Sequence, residues 1–226
     1  MPRPWAWTCR AGDTGRVVRT GARARALSRL LDQAGLGATK TPPPGPRIDD
    51  LDTDVAHSIL DTYRLFGGND AGVLRPGAWD LAVGDSLVLE LDEELHFNRY
   101  RKATLEPDWA RLLPWAGDYV SLCIRMESEC LSAGQWGKRW TNPSCEAMFG
   151  GADPPGLFTD HGAPRWKQRA LYDAIKDGYA ASRRENQVAR LSVHDDIAGA
   201  RLGAALDQGR PVDLEALTAL IRRRTS

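Results

Sequence analysis

The sequence contains no uninterrupted apolar run approaching the roughly 18 residues that a membrane-crossing helix needs, which excludes such a helix and any membrane partner that depends on one. Its opening residues, Met1-Pro2-Arg3-Pro4-Trp5-Ala6-Trp7, lack the apolar middle of a secretory signal, so a cytoplasmic location is the expectation. Cysteine is scarce: Cys9, Cys123, Cys130 and Cys145 are scattered, with no Cys-x-x-Cys pair among them. That excludes a disulfide framework, implies reduced thiols, and leaves a zinc site from Cys123, Cys130, Cys145 and His161 without the paired close spacing such sites use. An excess of charge of either sign is missing too, because 30 Lys and Arg balance 30 Asp and Glu.

The distribution of that charge is uneven. Residues 1–47 hold nine Arg or Lys against two acids, and residues 48–96 hold twelve acids against two Arg. A basic arm beside an acidic centre suits a protein that handles phosphates with one part and cations with another, although local variation in a chain rich in Arg, Ala and Gly has the same appearance. At 226 residues, 42% apolar, with eight Trp, the chain can build one ordinary domain with an extra arm. The stretch Thr41-Pro42-Pro43-Pro44-Gly45-Pro46 supports neither a helix nor a central strand. It is expected to divide an arm (1–47) from a single domain (48–226). In the arm, Ala24, Leu27, Leu30, Leu31 and Ala34 fall on one helical face, with Arg16, Arg19, Arg23, Arg25 and Arg29 before or along it. Those arginines read either as a DNA-backbone contact or as the solvated face of a surface helix.

The stretch from Trp79 to Phe97 organises the rest. It reads as a strand, a tight turn and a second strand, a hairpin within Leu74 to Leu91, with Leu87, Leu89 and Leu91 alternating with Val88, Glu90 and Asp92 on the second strand. Side chains alternate faces along a strand, so Glu90 and Asp92 share one. Two neighbouring carboxylates on a half-buried strand are unfavourable unless a cation joins them, and Mg²⁺ or Mn²⁺, hard ions with oxygen ligands, fit that demand. A three-residue loop pairs Val83 with Leu87 and sets Asp80 across from Glu90. A two-residue Gly84-Asp85 turn sends Asp80 to the other face, unless a bulge restores it.

An Asp, a turn and then Glu-x-Asp at the end of a hydrophobic strand resembles the core of the PD-(D/E)xK nuclease superfamily. The continuation Glu93-Glu94-Leu95-His96-Phe97 is similar to the branch near the very-short-patch repair endonucleases. The resemblance spans roughly residues 50–195. It implies an α/β fold of restriction-endonuclease type, a small mixed sheet flanked by helices. It also implies a metal-dependent nuclease acting on DNA, with Asp80, Glu90 and Asp92 as metal and catalytic residues and His96 as a proton-transfer group. The superfamily usually carries Lys two residues after the Glu; here that position is Asp92, and His96, Arg99, Arg101 or Lys102 is expected to supply the positive charge. Asp61, on a first core helix from Thr53 to Phe66, is the candidate for a further metal ligand, beside the plainer reading of it and His57 as a solvated stripe. Gln168-x-x-x-Tyr172 matches a motif of RecB-type members, and with Lys167 it is expected to contact a phosphate. Arg99, Arg101 and Lys102 are expected to do the same. The alternative function is a catalytically inactive nuclease-fold module for nucleic-acid binding or assembly, and a third is an interaction domain whose acids are surface charge. A homodimer would suit a double-strand break.

Elsewhere, the alternation of Val120, Leu122, Ile124 and Met126 predicts a strand from Tyr119 to Met126. Residues 127–164, rich in Gly and Pro, predict a long insertion whose aromatics either pin it to the core or stack on bases. Trp166 to Ala181 predicts a helix and Val188 to Val193 a strand. A helix from Ile197 to Asp207, capped by Asp195 or Asp196, and a last helix from Leu214 to Ile221 after Asp213 complete the expected order.

Overall fold

The computed structural model describes residues 21–39, 41–70, 73–182 and 185–226; Cys9, Arg16 and Arg19 lie outside them. In chain order the elements are α1 (Ala22–Gln33), β1 (Ala38–Thr39), α2 (Thr53–Leu65), β2 (Leu81–Val83), β3 (Leu87–Asp92), α3 (Arg99–Thr104), α4 (Asp108–Arg111) and α5 (Ala116–Gly134). There follow α6 (Pro143–Phe149), α7 (Pro164–Ala181), β4 (Gln187–Ser192), β5 (Asp196–Ile197), β6 (Ala200–Arg201), α8 (Leu202–Gln208) and α9 (Leu214–Arg223).

The fold is α/β, with a small mixed sheet of order β1-β2-β3-β4 flanked by helices. β1, β2 and β3 pair antiparallel, and β3 pairs parallel with β4. The parallel pair requires a crossover, and the chain from α3 to α7 supplies it. Alternation along the strands sorts the two faces. Leu81, Val83, Leu89, Leu91, Ala189 and Leu191 pack with Leu27 and Leu31 of α1, Leu202 and Leu206 of α8, and Leu217, Leu220 and Ile221 of α9. The opposite face carries Val88 and Val188 at one end, packed with Trp115, Tyr119 and Leu122. Further along this face stand Glu90, Asp92 and Arg190, all buried. Over it lies α7, buried almost all round, with α2 on its far side. Gly178 is what lets α2 approach: a Cβ there would stand 2.9 Å from Leu51 and Val55 side-chain atoms.

Helix α1 is part of this core, so the proline-rich stretch does not set it apart as an arm. Arg23 ties it down by donating to Glu94 at 2.7 Å and to Asp207 at 2.8 and 2.7 Å. Burial of that guanidinium opposes its charge, but the Asp207 hydrogen bond, followed by Glu94, raises its pKa further above the usual range.

Three expectations from the sequence are corrected. Residues 119–126 belong to helix α5, not a strand. Ala116, Tyr119, Leu122, Cys123, Cys130 and Gly134 form its buried stripe, whereas Ile124 is 64% exposed. The eight-residue alternation of apolar residues matched a strand, but the longer window fits the 3.6-residue period. Residues 127–164 are not one long loop: they hold the end of α5, helix α6 capped by the Asn142 side chain, and a turn built on Asp153. The Asp153 carboxylate accepts the backbone N–H groups of Thr159, Asp160, His161 and Gly162, and these hold its pKa well below the usual range although desolvation opposes them. Trp140 is buried and donates to the Asp153 carbonyl at 2.8 Å, pinning the turn, while Trp136 is exposed. The expected helix from Ile197 is instead the β5–β6 hairpin followed by α8. Ala198 and Gly199 both have positive φ, 52° and 86°, as a two-residue turn between twisted strands requires.

The corrected α5 generates a test. Leu122 (5% exposed) and Ile124 share a face in a strand but not in the helix. Leu122→Ala is expected to cost about 2–4 kcal/mol and Ile124→Ala less than about 0.5 kcal/mol. Urea unfolding of the two variants measures both, and equal losses would return the segment to a strand.

Candidate functional site

The loop between β2 and β3 has three residues: Val83 pairs with Leu87, Ala82 with Val88 and Leu81 with Leu89. Continuing that register sets Asp80 opposite Glu90. The two carboxylates are laced to each other's strands. The Asp80 N–H donates to Glu90 Oε1 at 3.1 Å, and the Leu91 N–H donates to Asp80 Oδ2 at 2.9 Å. Lys176 on α7 completes the group, with Nζ 2.7 Å from Glu90 Oε1 and 3.0 Å from the Ala78 carbonyl. Lys176 comes to Glu90 from a helix 86 residues further on. Asp80, Glu90, Lys176, His96 and Asp173 line one cleft of about 270 Å³, walled by Gly21, which precedes α1, by Ala24 of α1, and by Pro76 and Gly77.

Behind the cleft the charges are buried and locked. Arg190 on β4 donates to both Asp92 oxygens at 2.8 and 2.7 Å and to Asp177 Oδ1 at 2.7 Å. The Tyr119 hydroxyl donates to Asp92 Oδ2 at 2.8 Å. Arg101 reaches Asp177 at 2.6 Å from the other side. His96 Nδ1 lies 2.8 Å from Asp173 Oδ2 and 3.1 Å from Asp92 Oδ1. Asp92, His96 and Asp173 bring one donor atom each within 4.8 Å of one another, an arrangement able to hold a metal ion. The Arg190 guanidinium and the His96 ring contact those oxygens.

The environment drives the pKa values apart. Burial pushes Glu90 up to about 7, with Lys176 opposing the rise and Asp80 adding to it. Asp80 sits at the exposed rim, but its inward-turned carboxyl is raised by desolvation against the pull of the Leu91 N–H and Lys176. Burial also works to raise Asp92 and Asp173. It is overcome at Asp92 by Arg190 and then His96, and at Asp173 by His96 and then Arg190, so both stay low. Burial works to lower His96; Asp173 and Asp92 outweigh it and raise its pKa. The dyad with Asp173 fixes Nδ1, and Nε2 is left without a hydrogen bond among the described residues.

Of the residues expected at the site, Asp80, Glu90, His96 and Tyr172 line the cleft. Asp92 adjoins it: Arg190 and Tyr119 donate to its oxygens, and with His96 and Asp173 it belongs to the group able to hold a metal ion. Asp61 is exposed and pairs with Arg64 at 2.7 Å, away from the cleft, because its position on α2 points outward. Arg99 pairs with Glu127 and stacks on Phe158, Lys102 pairs with Glu106, and Arg101 is sealed inside. Lys167 donates to the Phe66 carbonyl on another face of α7, and Gln168 is buried against Cys145 and Met148. Cys123, Cys130, Cys145 and His161 form no metal cluster among the described residues.

Asp173, Lys176, Asp177 and Arg190 were not singled out from the sequence. The signal was present: a charged stripe inside an otherwise apolar helix, and an arginine in the middle of Val188-Ala189-Arg190-Leu191-Ser192-Val193.

The raised Glu90 pKa has a defined sign. Its protonated form stabilises the fold fully below pH 4.5, and that contribution disappears as pH rises through about 7. A pKa moved from 4.5 to about 7 corresponds to on the order of 3 kcal/mol. Glu90→Gln is therefore expected to raise the melting temperature of metal-free protein at pH 8, with the gain shrinking toward zero at pH 4.5. Thermal melts in EDTA across that range provide the check, and a gain independent of pH would contradict the assignment.

Neither curated proteins nor solved structures give a match. The sequence does match the model of a family of unknown function, DUF7255, over residues 61–208. That span includes Asp80, Glu90, Asp92, His96, Asp173, Lys176 and Arg190, so the whole charged centre lies within it. Since the matched region is close to two thirds of the chain, the protein belongs to the DUF7255 family.

Proposed function

We propose that this protein is a metal-dependent phosphodiesterase acting on DNA. One observation carries the reading: Asp80 and Glu90 face each other across a hairpin, with the Lys176 ammonium 2.7 Å from Glu90, in one open cleft. An acid pair with a lysine is the set that the resemblance to the PD-(D/E)xK nucleases calls for, with the lysine placed on α7 instead of β3.

The donor set fits a hard divalent cation such as Mg²⁺ or Mn²⁺. Each carboxylate spends one oxygen on the hairpin backbone, which leaves Asp80 Oδ1 and Glu90 Oε2 without hydrogen bonds among the described residues. Glu90, held near neutrality by burial, gains from any positive charge that joins Lys176. Asp80 and Glu90 would hold the ion. When bound, such an ion neutralises charge on a phosphate and acidifies water.

The remaining steps belong to side chains. Lys176 orients Glu90 and presents its ammonium to the cleft, where it can hold a phosphate oxygen or the attacking water. His96, fixed through Nδ1 by Asp173, presents Nε2 to the same space. Asp173 and Asp92 raise its pKa against the effect of burial, which favours the protonated ring that proton donation to a leaving oxygen requires. Arg190 keeps Asp92 ionised and out of the reaction.

The test is cleavage of plasmid and single-stranded DNA in Mg²⁺ or Mn²⁺. Wild type is expected to cleave, Glu90→Gln and Asp80→Asn to lose at least about 100-fold in rate, and Lys176→Met to lose about 10- to 100-fold. His96→Gln is expected to flatten the alkaline limb of the pH–rate profile. Folded wild type that cleaves neither substrate with either metal would overturn the reading.

A further inference from the structure

The face of α7 turned to the cleft carries Arg165, Arg169, Tyr172, Asp173 and Lys176. Their spacing of four, three, one and three residues makes one stripe. Its C-terminal half meets the carboxylates. Its N-terminal half is different: Arg165 and Arg169 stand one turn apart, and among the described residues neither has a carboxylate within ion-pair distance.

The Arg169 guanidinium has a single hydrogen bond, a long one of 3.4 Å to the Leu95 carbonyl. It is largely withdrawn from water, and burial together with the Arg165 charge lowers its pKa. Arg165 donates through Nη1 to Gln168 Oε1. Gln168 in turn is clamped by Cys145 Sγ at 3.3 Å and Met148 Sδ at 3.1 Å. The glutamine thus orients Arg165 from inside the protein. Tyr172 lines the edge of the same cleft. The helix end itself offers little to an anion, because Pro164 has no N–H and the Arg165 N–H is taken by the Trp140 carbonyl. What the cleft offers is two oriented guanidinium groups, neither with a carboxylate within ion-pair distance among the described residues, and such groups bind phosphate oxygens in a planar fork.

We propose that Arg165 and Arg169 form an anion subsite for the phosphate adjacent to the scissile one in a single nucleic-acid strand. Arg169 lies one turn before Asp173 and two before Lys176, ~6 and ~10 Å along the helix, which is one or two backbone steps of an extended strand. The identity of the anion as a nucleic-acid phosphate rests on the phosphodiesterase reading; the binding of an anion there does not.

The experiment titrates the full chain, in EDTA, with a 5′-phosphorylated thymidine trinucleotide and with its methylphosphonate analogue, which has the same bases and no internal backbone charge. The trinucleotide is expected to bind the more tightly, and Arg169→Gln or Arg165→Gln to weaken it about tenfold or more. Arg169→Lys, which keeps the charge, is expected to fall between, and it carries the test if Arg169→Gln does not fold. Equal affinity of wild type and folded Arg169→Gln, equal binding of the two probes, or no binding of either would overturn the proposal. Arg169-dependent binding without cleavage of any substrate would leave the subsite standing and remove the phosphodiesterase reading. Cleavage whose KM is unchanged in Arg169→Gln would do the reverse.

Discussion

Arg190 is the residue on which the interior of this protein depends. It is fully buried and touches Asp92, Asp177 and Asp173 from one strand position. Interior carboxylates without partners are untenable, and a guanidinium with five donors is the side chain best able to satisfy several at once. The consequence is positional. With Arg190 and Tyr119 holding Asp92, and with Asp92 and Asp173 holding His96, the cleft-facing atoms of Glu90, Lys176 and His96 have few places to go. Carboxylates nearest Arg190 and His96 stay ionised, whereas Glu90, further from that support, is pushed toward neutrality. One buried network thereby produces both a rigid floor and a rim on which burial pushes Glu90 up to about 7.

Much of the fold was legible in the sequence, where the signals were local. The hairpin could be read from alternation around Gly84-Asp85-Ser86, and α2, α7, β4 and the Asp213-capped α9 from helical stripes, strand pattern and caps. The segment around Leu122 was misread because an apolar residue at every second position satisfies a strand over eight residues. Only the extension through Cys130 to Gly134 shows the helical period. Residues 127–164 read as irregular because a turn held by one carboxylate, that of Asp153, has no periodicity at all.

The site divides along the same line. Asp80 and Glu90 meet within one hairpin, so their juxtaposition followed from strand geometry once the loop length was known. Lys176 meets Glu90 across 86 residues and Arg190 meets Asp92 across 98. No local pattern specifies such pairs; the packing of α7 on β3 and the parallel register of β4 do. For the same reason the basic residues after β3 drew attention that belongs to α7. Arg99, Arg101 and Lys102 are close in sequence to the acids, but their helix turns them to Glu127, Asp177 and Glu106. The cations that reach the cleft are Arg165, Arg169 and Lys176.

In the proposed site Asp80 and Glu90 hold the metal and Asp92 is structural, although Asp92, His96 and Asp173 are also close enough to hold an ion. A crystal of the metal-loaded protein, with Mn²⁺ located by its anomalous scattering, separates the two directly. The expected result is a peak bonded to Asp80 and Glu90, with Arg190 still on Asp92 and His96 still on Asp173. A peak held by Asp92, His96 and Asp173 with Arg190 displaced, or a saturated crystal with no ion at either place, would contradict it.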